Sequence, residues 1–349
     1  MSAISNSPTS ERHEFANLNN ISLVCRQQGF VLVVTLWMLA IITIGAAYFA
    51  ERVASSASSA LQSQLTSEAL VAMSSSRAEI LFRLGTTPTS VFGLGPNAQV
   101  AIELDNRPYR SSSGDIVRLQ DSRGLINVNF IQPEMLLRLL GQMGVSAENR
   151  DALLDTLNDY TDTDDLRRLN GAESAEYRAR GLPLPPNDWL VTPWQLQNII
   201  GWRDQAVLWK DQRLPEIVTA ARVFGFNPNT APREALAALP GSNAKVADDL
   251  VKMRSIAPFA SVSQLGNVLG QSGLDPESFI FLPSDNVRLT QESDKIPWAI
   301  RSQISLTPNA ALAPWRIDYY LKIGLTSLTQ DANKILPLPA RLALPASAN

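Results

Sequence analysis

"GFVLVVTLWMLAIITIGAAYFAERV", Gly29–Val53, sets the terms on which the rest of the chain is read. Phe30 to Ala50 contains no charged residue. A helix rises about 1.5 Å per residue, so this run is long enough to cross a bilayer core of about 30 Å. No small-residue cleavage site of the A-x-A kind closes the run as it would a secretory signal. Instead "FAERVASSASSALQ" (Phe49–Gln62) carries on without a helix breaker. Further on, Leu61, Leu65, Ala69, Ala72, Met73, Ile80 and Leu84 fall near helical spacing, with no proline between Glu51 and Gly85. One continuous helix is predicted from about Phe30 to Leu84, its first half in lipid and its second half packed on a globular body. Gly85 and Pro88 end it. The flanking charges orient it only weakly: Arg12 and Arg26 stand against Glu11 and Glu14 before the span, and Glu51–Arg52 follow it.

The 349 residues suffice for more than one domain. A net charge of −3, from 30 basic and 33 acidic residues, gives no bias toward nucleic acid or acidic membrane. The single cysteine, Cys25, and the single histidine, His13, both precede the apolar run. The body after it therefore has no disulfide, no Cys/His zinc site, no Ser–His–Asp triad and no Cys–His dyad.

After the helix, "AQVAIELD" (Ala98–Asp105), "GDIVRLQD" (Gly114–Asp121) and "GLINVNFI" (Gly124–Ile131) alternate as strands between turns such as "NRP" and "SSSG". From Pro133 the pattern is helical. Pro133 suits a first helical position, Ser146 and Thr192 suit N-caps, and Gly144 and Gly241 suit helix ends. Strands resume with "FIFLP", "NVRLTQES", "WAIRSQISLT" and "WRIDYYLKIGLTSL", and the Pro/Ala-rich end reads as a loose tail.

Three stretches together resemble one family. "RQQGFVLVVTL" (Arg26–Leu36) is similar to the cleavage and anchor region of type IV pilin-like proteins. "RLQDSRGLINVN" (Arg118–Asn129) leads into "LLDTLNDYTDTDDLRRLNGAESAEY" (Leu153–Tyr177), and "NPNTAPREALAALPG" (Asn227–Gly241) follows. In this order, over roughly Arg26 to Lys322, the chain resembles the K-type minor pseudopilins of the type II secretion system. The resemblance implies cleavage by prepilin peptidase between Gly29 and Phe30 and methylation of the Phe30 amine. It gives meaning to Val34, the fifth residue after the cut, where most pilins carry a Glu that meets the amine of the preceding subunit. An unpaired carboxylate in hydrocarbon costs about 2.5–3.5 kcal/mol. A subunit at the tip has no predecessor, and Val34 suits that place.

The acidic stretch gathers Asp155, Asp159, Asp162, Asp164 and Asp165, with Glu173 and Glu176 soon after. Hard oxygen donors around a loop suit Ca²⁺, though the spacing is not that of an EF-hand. The residues alone favour a solvated loop tied by salt bridges to Arg167 and Arg168, since charge runs are usually solvated. The resemblance favours a structural Ca²⁺ held by Asp162, Asp164, Asp165 and Glu173, with Asp155, Asp159 and Glu176 as further candidates.

Asn227 to Leu265 also resembles a helix-hairpin-helix, a unit that grips DNA phosphates. It carries four basic residues, Arg233, Lys245, Lys252 and Arg254, against Glu234, Asp248 and Asp249. Phosphate neutralisation dominates DNA affinity, so this balance favours a packing role, with DNA binding as the alternative function. Paired carboxylates such as Asp155 and Asp159 without histidine or nucleophile do not make a hydrolase, and no enzyme is expected.

The expected fold class is α+β: a type IV pilin-like fold, a long N-terminal helix on an antiparallel sheet, with a large inserted all-α domain. The expected boundaries are a cytoplasmic prepilin leader over 1–29, the transmembrane half-helix over 30–50, the periplasmic half over 51–85, and pilin-like strands over 86–132. The α-domain follows over 133–280 with the hairpin-like segment at 227–265. Strands completing the sheet occupy 281–330 and the tail 331–349. The family role is a minor pseudopilin at the pseudopilus tip, anchored once in the inner membrane with its body in the periplasm. Expected partners are the I- and J-type minor pseudopilins and other pseudopilins, prepilin peptidase, and the secretin or secreted proteins. The small residues of "ASSASSA" (Ala54–Ala60) permit close helix approach.

Overall fold

Helix α1, Gln28–Thr86, is unbroken. The computed structural model describes residues 28–130, 132–271, 274–325 and 335–340. The leader therefore lies outside the described residues, apart from its last two. The chain divides into two compact units between Gln64 and Leu65. In the first, α1 is apolar and unburied, with a mean hydropathy of 2.5 over its most apolar window, and is long enough to cross a membrane. Two of its hydroxyls bond within the helix: Thr35 Oγ1 donates to the Leu32 carbonyl at 2.8 Å and Thr43 Oγ1 to that of Leu39 at 2.9 Å. Such back-bonding gives these donors a partner within a helix that is apolar enough to cross a membrane.

In the second unit, the remainder of α1 lies on a six-stranded sheet. Ala69, Met73, Ile80 and Leu84 are buried at helical spacing. Two short strands, β1 (Thr89–Ser90) and β2 (Gly93–Leu94), follow as a hairpin. The sheet then takes β3 (Asp105–Arg110) and β4 (Ile116–Asp121). Beyond the helical block come β7 (Asn286–Glu292), β8 (Trp298–Leu306), β9 (Trp315–Gly324) and β10 (Leu336–Pro337); the intervening β5 (Ile126–Asn127) and β6 (Val218–Thr219) form a separate parallel pair. The order in the sheet is β10-β3-β4-β7-β8-β9, antiparallel except for β10 beside β3. Neighbours β4 and β7 are separated in sequence by residues 122–285.

Ile80 and Leu84 pack with Val117, Leu119, Val287, Leu289 and Ile304, while Ala69 and Met73 meet Ile296 and Ile300. A polar clamp is set into this apolar seam. Ser76 Oγ donates to Asp115 Oδ2 at 2.6 Å, Ser111 bonds the other oxygen, and Gln291 Nε2 reaches Ser76 Oγ at 2.7 Å and the Met73 carbonyl. Buried polar groups bond or destabilise, so this network fixes where along α1 the sheet sits.

The helical block holds α2 (Pro133–Gln142), α3 (Ala147–Thr161), α4 (Ser174–Ala179), α5 (Ala206–Trp209), α6 (Arg213–Ile217), α7 (Arg233–Ala237), α8 (Ala244–Ile256) and α9 (Val262–Leu269). Its core includes Leu136, Leu139, Leu157, Tyr177, Leu196, Trp202 and Leu236. Trp202 Nε1 donates to the Leu153 carbonyl at 2.9 Å, and the Ile200 N–H donates to Tyr177 Oη at 3.2 Å. The far face of the sheet meets this block through buried arginines. Arg288 donates to the Pro215 and Glu216 carbonyls at 2.8 and 2.9 Å, and Arg301 Nη2 lies 2.8 Å from Glu216 Oε1. Burial beside Arg301 pulls the Arg288 guanidinium down to about 10.

Several elements differ from expectation. Of Ala98–Asp105 only Asp105 enters the sheet, as the first residue of β3: Ala101, Ile102 and Leu104 are buried, and of these only Ile102 bridges, to Leu94. The strand is β3 instead, starting at the expected "NRP" turn. Asn106 bulges at φ +69, and Pro108 sits where no ladder N–H is required. "GLINVNFI" yields only β5. "TPWQLQNIIGW" is a 3₁₀ turn over Pro193–Asn198. In the expected tail, Leu336–Pro337 pair with Tyr109–Arg110, and 341–349 lie outside the described residues.

Candidate metal centre

Helix α3 ends at Asp162, whose N–H still donates to the Asn158 carbonyl at 2.9 Å while its own backbone is extended. The acidic loop starts there and ends at Glu173, the residue before α4. Each carboxylate has its own surroundings. Asp155 Oδ2 accepts from the Asn170 N–H at 3.1 Å. Asp159 is fully buried and accepts from the Arg168 N–H at 3.1 Å and from Arg168 Nη1 at 2.6 Å. Gly171 backs onto it: a Cβ there would lie 1.9 Å from Asp159 Oδ2. Glu176 accepts from the Glu173 N–H at 3.0 Å and pairs with Arg167 at 3.1 Å, so it caps α4. Asp164 Oδ1 accepts from the Leu166 N–H at 2.8 Å.

Three carboxylates converge. Oxygens of Asp162, Asp164 and Glu173 all lie within 4.8 Å of one another. Asp165 is exposed and lies outside this group. Asp155, Asp159 and Glu176 also lie outside it, Asp159 buried and the other two half-buried. Glu173 is 4% exposed, and neither of its side-chain oxygens has a hydrogen-bond partner; Asp162 Oδ1 is likewise buried and unpartnered. Burial, then the charges of Asp159, Asp162, Asp165 and Asp164, push the Glu173 carboxyl up to about 7. Buried acceptors without donors are rare and destabilising, so this set fits a cation. The donors are all hard oxygens, which suit Ca²⁺ and not a thiolate- or imidazole-seeking metal. At Ca–O distances of about 2.3–2.6 Å one ion spans oxygens up to about 5 Å apart.

The helix-hairpin-helix-like segment is built differently from a phosphate cradle. Asn243 Oδ1 accepts from the Lys245 and Val246 N–H groups at 2.9 and 3.1 Å, closing the start of α8. Arg233 is paired with Asp248, and Arg254 Nη1 donates inward to the Pro228 and Ala231 carbonyls at 2.9 and 2.5 Å. Phe30 and Val34 lie within α1 with exposed and half-buried side chains respectively; Gly29 is also in the helix.

A buried hub went unread in the sequence. Asp121 Oδ1 accepts from the Ser284 N–H and Oγ at 2.9 and 2.7 Å, and its Oδ2 from Asn227 Nδ2 and Thr230 Oγ1 at 3.0 and 2.8 Å. "QDSRG" and "NPNT" therefore meet in space where the chain leaves β4 and returns to β7.

The family model of Type II secretion system (T2SS), protein K, matches residues 115–222. Over that stretch the chain is similar to T2SS protein K. The protein K match takes in β4, helices α2 to α6 and every carboxylate of the acidic loop. In fold the chain is similar to a chain of the crystal structure of the GspK-GspI-GspJ complex from the enterotoxigenic Escherichia coli Type 2 Secretion System. That likeness has 15% identity and a TM-score of 0.48 and covers 74% of this chain and 95% of that one. Comparison with curated proteins gave no match.

Proposed function

We propose that the protein is a minor pseudopilin of the type II secretion system, placed at the tip of the periplasmic pseudopilus, where it helps start assembly and the export of folded proteins. The observation that carries this reading is the protein K match over 115–222 in a chain that also holds the 59-residue helix α1. On this reading the fold is pilin-like, α1 on its sheet, and the helical block between β4 and β7 is an inserted α-domain. The first part of α1 anchors the chain once in the inner membrane and the body lies in the periplasm. Prepilin peptidase cuts between Gly29 and Phe30, the new amine is methylated, and Val34 leaves no carboxylate waiting for a predecessor. The partners are the I- and J-type pseudopilins, engaged through α1. The role is structural, without catalysis.

The acidic loop belongs to this reading as a Ca²⁺ site. Asp162, Asp164 and Glu173 would hold the ion, with Asp165 next to them in sequence. The ion would supply the positive charge that the buried Glu173 carboxylate lacks, fixing the junction of α3 and α4.

Co-purification tests the function. The full chain, expressed with prepilin peptidase and the I- and J-type pseudopilins, is expected to elute with both from a detergent extract. Elution alone from an extract in which I and J remain paired would contradict it.

A further inference from the structure

Within the acidic loop one side chain already bridges two carboxylates. One nitrogen, Arg168 Nη1, stands 2.6 Å from Asp159 Oδ1 and 2.6 Å from Asp162 Oδ2. The arginine bridges an aspartate of α3 and an aspartate of the candidate metal set. Its side chain is 41% exposed, so it can leave toward solvent. Asp159 would not be stranded by that departure, because the Arg168 N–H also donates to its Oδ2 at 3.1 Å. The two leucines of the loop do not pack: Leu166 and Leu169 are 77% and 90% exposed. Around Arg168 the contacts of the loop are therefore polar ones.

We propose that Arg168 is a built-in counter-cation that exchanges with the divalent metal at Asp162, so that the loop has an arginine-clamped form and a metal-bound form. This rests on the metal reading above. Two cations sharing one carboxylate in a half-buried site repel each other, and the like charge weakens metal binding. The exchange lets the junction between α3 and α4 stay folded before metal arrives. It also makes the affinity weaker than the carboxylates alone would give.

The test is calorimetric titration of CaCl₂ into the full chain in detergent, with melting temperatures in EDTA and in calcium, for wild type, Arg168→Gln and Arg168→Lys. Arg168→Gln keeps a donor and removes the charge. It is expected to lower the Kd for calcium roughly tenfold, the scale of removing one like charge a few ångströms away. Its melting temperature in EDTA should fall, and Arg168→Lys should stay near wild type in both readouts. Should Arg168→Gln not fold, Asp159→Asn is compared with the Asp159→Asn/Arg168→Gln pair, in which no buried charge is left alone, and the same tightening is expected. Calcium binding by Arg168→Gln but not by wild type would support the exchange. Binding by wild type with equal or weaker binding by the variant would overturn the exchange and leave the metal reading standing. Binding by none of the proteins would overturn both.

Discussion

Thr230 Oγ1 donates to Asp121 Oδ2 at 2.8 Å although 109 residues separate the two along the chain. Asn227 donates to the same oxygen, and Ser284 to the other. One buried carboxylate thus ties together the end of β4, the approach to α7 and the approach to β7. It locks the helical block onto the sheet at the point where the chain leaves and re-enters it. Replacing Asp121 by Ala leaves these donors without an acceptor. We expect a loss of about 3–5 kcal/mol, read as a lower denaturant midpoint, the scale of removing one partner from a buried charged network.

Glu216 closes the same interface from the helical side. It faces both Arg288 and Arg301, which are almost fully buried. Glu216→Gln should lower stability by about 3–5 kcal/mol, since two buried guanidinium groups lose their shared counter-charge. Chemical denaturation followed by Trp fluorescence measures it. A change under 1 kcal/mol would show that their other partners, the Pro215 and Glu216 carbonyls and Thr290 Oγ1, suffice for these arginines.

Removing the candidate ion should matter more than removing any one loop charge. Calcium is expected to raise the melting temperature of the wild-type chain, and Asp162→Ala and Asp164→Ala to abolish that rise. In EDTA these substitutions should cost far less. Asp155→Ala, whose carboxylate holds Asn170 and not the cluster, should keep the response. An equal response in all four proteins would place the ion elsewhere.

The pH dependence has a definite sign. The Glu173 carboxyl stands at about 7 in the folded chain, against an ordinary value of 4.5. Between these values the folded state holds a proton that the unfolded state has released. Its contribution without metal is therefore fully present below about 4.5 and lost as pH rises through about 7. The melting temperature in EDTA should fall over this window, and Glu173→Gln should flatten the slope. Calcium, which needs the ionised carboxylate, should bind more weakly as pH falls below 7.

Helix α1 was legible because a charge-free run and an unbroken heptad-scale pattern are local signals, and the structure extends it only slightly, to Gln28–Thr86. The acidic loop was legible as composition. Which carboxylates converge was not: Asp165 lies beside Asp164 in sequence yet is exposed and outside the group, while Glu173 joins it from the start of α4. The expected bridges to Arg167 and Arg168 are present, but nothing in the sequence says that one Arg168 nitrogen serves two aspartates. The strand misplaced at Ala98–Asp105 has the right alternation. It buries its apolar side chains without a ladder partner, and pairing is a property of the whole sheet. The Asp121 hub escaped for a similar reason, since it joins stretches far apart in the chain that carry no periodic signal.

The central claim is that this chain is a processed, pilin-like subunit, and the mass of its N-terminus tests that most directly. Expressed with prepilin peptidase, the chain should begin at Phe30 with a methylated amine, and without the peptidase it should keep the residues before Gly29 and Gly29 itself. An identical, uncut N-terminus under both conditions would contradict the claim.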